Sequence, residues 1–250
     1  MAKKKAKKKT TLSPSLFKLT GPSKKMKVDA KKKKMYYFAT KVKPAKAEKI
    51  AASDGAEILG TSVGSVKVSK PAQKYDFYCV YDADLEIKFL RLRKQEIGVN
   101  ERVSGAMVGK EVLKPKKGKT IPSKAIQLDI AELFELEQKD SMILDGKTGG
   151  PANAMERQLK GPGKKTATAS WVKKNKISPG KYNSVDKVIR QVSKFAGRTP
   201  SDAKRVVVHN LTFKQLNGFY VPVYYVKVTA GTVSRTLIVN GINGAVSLSI

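Results

Sequence analysis

The chain has 250 residues, with 51 Lys+Arg against 20 Asp+Glu and a formal net charge of +31. Hydrophobic residues make up 40% of it, which is enough to bury a core and excludes wholesale disorder. The sequence contains neither the run of about 20 apolar residues that a membrane helix needs nor the shorter apolar stretch of a secretory signal. We therefore expect a cytoplasmic protein that binds a polyanion and no membrane.

The charge is distributed unevenly along the chain. Residues 1–49 carry 18 lysines and 2 acids, residues 50–150 carry 16 bases and 15 acids, and residues 151–250 carry 17 bases and 3 acids. A nearly neutral middle segment between two cationic flanks is typical of a folded body with basic extensions that contact nucleic acid or another anionic surface.

Residues 1–34 are predicted to form a lysine-rich arm that is disordered alone or ordered by a partner. It could be a solubilising tail or nuclear-import signal, or an extension that neutralises phosphates. The arm has no arginine, so we expect it to bind the nucleic-acid backbone without reading base sequence. The candidate phosphate-binding residues of the arm are Lys3, Lys4, Lys5, Lys7, Lys8, Lys9, Lys24, Lys25, Lys27, Lys31, Lys32, Lys33 and Lys34.

Residues 35–145 are predicted to form a first α+β domain. Met35–Phe38 is suited to a strand, and Pro44 can begin a helix that stops near Gly55. Apolar residues alternate with polar ones from Phe77 to Phe89, which predicts a half-buried strand or a hairpin bent near Asp82–Asp84.

Two features of this alternating segment have a functional and a structural interpretation. Cys79 lies on the apolar side and is expected to be a core residue, not a nucleophile. The acids on the polar side, Asp82, Asp84 and Glu86, could hold a hard cation. We favour ion pairs between them and basic residues of a neighbouring strand, namely Arg91, Arg93 or Lys94.

The rest of this domain is predicted to be strands joined by a basic loop. Ile97–Val108 fits a strand, a turn and a second strand. Ile126–Leu136 alternates like a strand but also fits a helix capped by Asp129, and we favour a strand followed by a helix. The loop between them, from Lys110 to Lys124, provides four candidate phosphate-binding residues, Lys114, Lys116, Lys117 and Lys119.

Residues 146–181 are rich in Gly, Pro and Lys and are predicted to be a linker. Trp171, the only tryptophan, lies among its lysines, where it could stack on an unpaired base or anchor the linker to a domain surface. The candidate nucleic-acid-binding residues here are Lys164, Lys165, Trp171, Lys173, Lys174 and Lys176.

Residues 182–250 are predicted to form a second α+β domain. Asn183 or Ser184 can cap a helix that runs to Gly197. Three strands are expected to follow, at Lys204–Val208, Phe219–Val228 and Thr232–Val239, with a short strand after them. The single histidine, His209, is expected at the surface end of the first of these strands.

The two halves share an order of a helix followed by strands, and the second half ends in Val239-Asn240 and Gly244-Ala245-Val246. This order and turn resemble the helix-plus-three-strand module of PepSY-type domains, well over residues 184–250 and loosely over 44–108. The resemblance implies two small mixed modules with antiparallel sheets. It implies no function here, because PepSY modules are mostly extracytoplasmic and this chain begins with a basic segment.

Enzymatic function is not expected. Gly118-Lys119-Thr120 and Gly146-Lys147-Thr148 look like the end of a P-loop, but the position of its first glycine is occupied by Leu113 and Ser141. Gly161-Pro162-Gly163 lacks the strand and helix that a phosphate-binding glycine loop needs. A single cysteine and a single histidine exclude an internal disulfide and leave little material for a metal or catalytic site. We expect no metal, cofactor or small-molecule substrate.

These features together favour a structural nucleic-acid-binding protein. A mixed α/β body with a lysine-rich extension and basic loops looks like the ribosomal proteins that thread tails between RNA helices. The first expectation is therefore an rRNA-binding ribosomal or ribosome-associated protein, with other ribosomal proteins as further partners. The alternatives are a DNA-binding packaging protein of a nucleoid or virion, and a protein–protein adaptor with a basic targeting arm.

Overall fold

A computed structural model describes residues 12–249 of the chain, and it confirms the expected α+β class. The strands in chain order are β1 (Lys27–Asp29), β2 (Lys33–Phe38), β3 (Lys67–Val68), β4 (Ala72–Gly98), β5 (Ala106–Val108), β6 (Glu111–Leu113), β7 (Lys116–Lys117), β8 (Lys124–Asp145), β9 (Lys164–Thr166), β10 (Ala203–Ala230), β11 (Val233–Asn240) and β12 (Val246–Leu248). The α-helices are α1 (Pro44–Ile58), α2 (Glu156–Lys160), α3 (Ala169–Lys174) and α4 (Val185–Ala196). Short 3-10 helices occur at Pro14–Phe17, Val63–Ser65 and Asn153–Met155.

Most of the strands belong to one mixed sheet. Its main path runs β12-β11-β10-β4-β8-β7; β1, β2 and β3 also pair with β10, and β9 pairs with β2. β2 is parallel to β10, whereas β11 is antiparallel to it. β5 and β6 form a separate antiparallel hairpin.

Three strands are far longer than the 3–10 residues that are usual: β4 has 27 residues, β8 has 22 and β10 has 28. The predicted break between Val208 and Phe219 is wrong, because buried Leu211 and Phe213 continue the alternation through it. Gly218 does not end the strand either. A Cβ atom there would lie 2.5 Å from Val185 and 2.9 Å from Phe77, so this glycine permits a close approach of neighbouring side chains.

β4 and β8 also run through positions where the sequence predicts a change of structure. The hairpin bend near Asp82–Asp84 is absent, since both residues lie inside β4. The helix expected within Ile126–Leu136 is wrong as well. There, β8 carries Glu132, whose carboxylate accepts a hydrogen bond from Arg91 Nε of β4 at 2.8 Å. Glu132, which the sequence places in a helix cap with Asp129, is instead part of a cross-strand ion pair.

The chain divides into two compact units that do not follow the predicted consecutive domains. Unit 1 contains residues 12–27, Leu85–Gln138 and Gly197–Asn210, and unit 2 contains Val28–Asp84, Lys139–Ala196 and 211–249. The segment 146–181, predicted to be a linker, lies within unit 2 and carries α2, β9 and α3. Each predicted domain thus contributes residues to both units, because β4, β8 and β10 are continuous.

Both predicted helices of unit 2 are confirmed. α1 begins with Pro44 at its first position and packs buried Ala47 and Ala51 against Tyr224 and Val228. It continues past Gly55, where a Cβ atom would lie 2.9 Å from Val228, so the glycine allows the helix to approach the sheet. α4 buries Val185 and Val188 and ends at Ala196, just before the predicted stop.

Unit 1 has a smaller apolar cluster bordered by ion pairs. Ile87 and Phe89 of β4 pack with Val206, and neighbouring Lys88 pairs with Glu135 of β8 at 3.0 Å. The ion-pair partners predicted for Glu86 and Asp84 are wrong. Glu86 lies 3.8 Å from Lys88 instead of pairing with Arg91, Arg93 or Lys94. In unit 2, Asp84 lies 3.5 Å from Lys214.

The only cysteine and the only histidine of the chain are both buried. Cys79 is in the core with an exposure of 0%, as predicted. His209 is only 3% exposed and lies inside β10, so its predicted surface position is wrong. None of the helices in residues 12–249 has the length and apolar character needed to cross a bilayer.

An ionic network around buried Asp76 joins four segments of unit 2. Asp76 of β4 is 4% exposed, and its carboxylate lies 2.7 Å from Lys147 Nζ, in the turn after β8. The Tyr225 hydroxyl of β10 donates to the same carboxylate at 3.1 Å and also contacts Ser178 at 3.3 Å. Because the charges are paired and hydrogen-bonded, this network holds the turn to the sheet.

Replacing Asp76 by Asn should lower the free energy of unfolding by about 2 kcal/mol, because partly exposed Lys147 then loses the buried carboxylate with which it pairs. Asp82→Asn is the matched control: Asp82 is a partly exposed acid of the same strand, and we expect its replacement to have a small effect. Chemical denaturation measures both variants. Equal destabilisation by the two substitutions would contradict a structural role for the Asp76 network.

Candidate nucleic-acid interface

Residues 12–27 of the predicted arm belong to unit 1 and contact β10 there. The Arg205 guanidinium donates to the carbonyl of Leu16 at 3.2 Å, and the N–H of Lys24 donates to the carbonyl of Val206 at 2.9 Å. The Val206 N–H in turn donates to Ser23 Oγ at 3.0 Å. Lys24, Lys25 and Lys27 are exposed in this segment. The six candidate lysines nearest the N-terminus, Lys3, Lys4, Lys5, Lys7, Lys8 and Lys9, lie outside the described residues.

The end of the predicted arm is part of the sheet of unit 2. Lys33 and Lys34 are the first residues of β2 and pair in register with Leu216 and Asn217 of β10. Lys33 Nζ lies 2.7 Å from a carboxylate oxygen of Asp186, so this lysine already has an anionic partner. Because β1 already pairs with β10, the boundary between arm and body lies before residue 27, not after residue 34.

The candidate lysines of the basic loop, Lys114, Lys116, Lys117 and Lys119, are all exposed on unit 1. A surface depression of about 540 Å³ lies beside this loop and is lined by Lys94, Lys116 and Lys119. The carboxylates of Glu96, Glu111 and Asp129 line the same depression. Its charges therefore balance, which makes it a poor groove for a polyanion.

The tip of the basic loop wraps around one of these carboxylates. The N–H groups of Lys119 and Thr120 donate to Glu96 at 2.9 Å each, and the Thr120 hydroxyl donates at 2.8 Å. Gln127 Nε2 adds a fourth contact at 3.1 Å. Backbone hydrogen bonds from Thr120 and Lys119 lower the pKa of Glu96 to about 2. The segment that looks like a P-loop in the sequence thus binds an anion from its own chain.

The largest group of predicted lysines in unit 2 forms a surface that we call the β2–β9–α3 surface. β9 pairs antiparallel with β2, so that Tyr37 faces Lys165 and Phe38 faces Lys164. The N–H of Ala167 donates to the carbonyl of Met35 at 2.9 Å and fixes the start of the segment leading to α3. The exposed lysines of this surface are Lys31, Lys32, Lys34, Lys164, Lys165, Lys173 and Lys174. Lys176, also exposed, follows α3.

The two faces of the β2–β9 pair carry different lysines and aromatic side chains. Side chains of a strand alternate between faces, so Lys164 shares a face with Tyr36 and Phe38. Its Nζ lies 5.8 Å from the centre of the Tyr36 ring. Lys165 lies on the opposite face, with Tyr37 and Trp171. β9 pairs only with β2 among the described strands, so lysines on either face stand at a sheet edge.

Trp171 packs within unit 2 among three tyrosines. Its ring stacks on Tyr37 with centroids 4.3 Å apart, and Tyr75 and Tyr220 approach at 4.9 and 5.5 Å. The indole is only partly exposed. Of the two roles that the sequence allows, this arrangement favours the anchor over a ring that is free to stack on a base.

Sequence reasoning missed a second cationic feature of unit 2. A cavity of about 480 Å³ is lined by Lys41, by Arg157 of α2, and by Gly161-Pro162-Gly163. The glycine pattern alone does not predict a site, because a phosphate-binding loop follows a strand and precedes a helix. In the structure α2 precedes the glycines and β9 follows them, which is the reverse order.

Neither a cluster of metal ligands nor an activated thiol is present among the described residues. Within residues 12–249 no three His, Cys, Asp or Glu side chains are grouped to hold a metal ion. Burial raises the pKa of the Cys79 thiol to about 12, so the thiolate is disfavoured. No protein-family model, curated protein or solved structure matches the chain.

The loop around Glu96 should respond to acid. Because the folded pKa of about 2 lies below the ordinary value of 4.5, the carboxylate stabilises the loop above pH 4.5. That contribution should be lost as the pH falls from about 4.5 to 2. Amide hydrogen exchange of Lys119 and Thr120 across this range, with the NMR titration of Glu96, measures the effect. Glu96→Gln should speed their exchange at neutral pH, and a Glu96 midpoint near 4.5 would contradict the assignment.

Trp171→Ala should lower the free energy of unfolding by about 2–4 kcal/mol, because it removes a partly buried ring from between tyrosines. Trp171→Phe retains an aromatic ring and should be milder. Thermal unfolding measures stability, and titration with RNA measures affinity. A loss of RNA affinity of about tenfold or more at unchanged stability would instead assign Trp171 to base stacking.

Proposed function

We propose that this protein is a structural nucleic-acid-binding protein that holds the sugar–phosphate backbone through its lysines. The observation that carries the proposal is the β2–β9–α3 surface, where exposed lysines from β2, the turn before it, β9 and α3 occur on unit 2. Lys33, beside this surface, is ion-paired with Asp186, whereas the seven lysines that define the surface make no ion pair with the described residues 12–249. They are available to replace counterions along a polyanion.

The chemistry of these side chains suits binding to the nucleic-acid backbone better than recognition of its base sequence. All seven cations of the β2–β9–α3 surface are lysines, which act as flexible point charges. Arginine, the residue most used to contact guanine edges in pairs of hydrogen bonds, does not occur in residues 31–38, 164–166 or 169–174, which form the surface. We therefore infer affinity for phosphates with weak preference for sequence.

Structured RNA of a ribosome is our first candidate partner, and the protein would then act in the cytoplasm as a ribosomal or ribosome-associated protein, without catalysis. This preference comes from the composition and the basic extension, since Trp171 packs internally. A DNA-packaging role in a nucleoid or virion would use the same phosphate contacts. Parallel titrations with RNA and DNA distinguish the two.

Affinity for nucleic acid should fall steeply with salt. If about 6–10 lysines meet phosphates, the association constant should decrease by about 10³–10⁵-fold between 50 and 200 mM salt. Titrations of the full chain with structured rRNA fragments and duplex DNA, in a salt series, measure this. A flat affinity for both polymers across that range would exclude phosphate neutralisation.

The contribution of the β2–β9–α3 surface can be isolated by charge removal. Lys173→Gln with Lys174→Gln should weaken binding and reduce the salt slope by about 2, since each lysine contributes about one unit. Lys46→Gln with Lys49→Gln removes two exposed lysines from α1 and serves as the matched control. Identical slopes for the two double variants would contradict a localised interface.

A further inference from the structure

The cavity beside α2 has the size and lining of a ligand site. Its volume of about 480 Å³ falls within the usual 300–1,000 Å³ of such sites. It lies between the end of β2, α2, the turn at Gly161-Pro162-Gly163, and Ile242 and Asn243 in the turn after β11. All of these segments belong to unit 2.

One side of the cavity is apolar. Phe38 lines it and belongs to a buried cluster with Leu159, Phe219 and Val221. Ile242 lines the cavity as well and packs against the same cluster. Because these side chains are fixed by the core, the apolar wall does not need to be rebuilt when a ligand enters.

The polar side of the cavity is cationic. Lys41 and Arg157 are exposed at its border, and no carboxylate is among the described residues that line it. A guanidinium can bind a phosphate through two parallel hydrogen bonds or stack on a planar ring. The lining therefore suits a ligand with an anionic group attached to a flat or apolar body.

A buried hydrogen-bond donor lies in the same wall. Gln158 lines the cavity, and its Oε1 accepts a hydrogen bond from Asn240 Nδ2 at 3.1 Å. Its Nε2 is buried and has no acceptor among the described residues 12–249. This nitrogen is closed to solvent, so its missing acceptor is a cost to the wall and not a contact offered to a ligand.

We propose that this cavity receives one unpaired nucleotide of a bound strand. The base lies against Phe38 and Ile242, and the phosphate pairs with Arg157 and Lys41. Lys164 pairs in register with Phe38 and extends on the same face, so it meets the backbone of the adjacent nucleotide. This inference deepens the proposed function, on which it rests, by assigning a preference for single-stranded segments.

The test compares a short single-stranded oligouridine with a blunt RNA duplex of the same length, using the full chain. Arg157→Gln removes the guanidinium, and Ala154→Trp fills the cavity from an exposed lining position without changing charge. Arg190→Gln, an exposed arginine of α4, is the control for the loss of one positive charge. Thermal unfolding of each variant checks that the fold is retained.

We expect Ala154→Trp to weaken oligouridine binding by about tenfold, the effect of losing one base contact. Arg157→Gln should weaken it by about the same factor, because it removes a charge-assisted contact to the phosphate. Neither should weaken duplex binding more than Arg190→Gln does. If Arg157→Gln and Arg190→Gln have equal effects on both RNAs and Ala154→Trp has none, the cavity assignment is overturned while phosphate binding stands. If the unmodified chain binds neither RNA, the proposed function itself fails.

Competition by uridine monophosphate distinguishes a cavity that binds a strand from one that binds a free nucleotide. For a strand-binding cavity we expect uridine monophosphate to compete only weakly with oligouridine for the unmodified chain. Saturable binding of uridine monophosphate that Arg157→Gln abolishes, with no effect of the variants on oligouridine, would overturn the assignment to a strand.

Discussion

The shortage of carboxylates is the constraint on which the rest of this structure depends. With 20 acids for 51 basic side chains, the fold cannot neutralise its charge internally, and the position of each acid matters. Asp76 is the only acid buried within residues 12–249, and it neutralises Lys147 beneath the Tyr225 ring. Elsewhere Glu132 serves both Arg91 and Arg93. The lysines left over must face solvent or a partner, because burying an unpaired ammonium is prohibitively costly.

Local patterns in the sequence predicted which helices and strands form better than they predicted where those elements end. The helix from Val185 and the buried side of Phe77–Phe89 follow from periodicity alone, and both are present. The uninterrupted length of β10 could not be predicted, because Gly218 looks like a turn residue until Phe77 and Val185 are seen beside it. Contacts between residues far apart in sequence decided these cases.

The sequence predicted which lysines could form the interface but not how they are arranged in space. Exposure of the lysines follows from their chemistry, yet consecutive Lys164 and Lys165 project to opposite faces once β9 pairs with β2. Lys41 and Arg157 border one cavity although they lie far apart in the sequence, and neither stands in a recognisable pattern. Trp171 lies in a lysine-rich sequence that is compatible with base stacking. The tyrosines that pack around it come from three different strands, so the sequence alone does not place them beside it.

The solitary thiol of β4 has a consequence for how the native state can be observed. Cys79 is fully enclosed, and its raised pKa removes the thiolate that alkylating and disulfide reagents attack. Chemical labelling therefore has to wait for the strand to open and expose the sulfur to water. Under conditions where reclosing is fast, the labelling rate is the intrinsic thiol rate multiplied by the open fraction. Because the chain contains one cysteine, the signal comes from one known place in the sheet, and its rate reports the fraction of molecules in which the core around β4 is open.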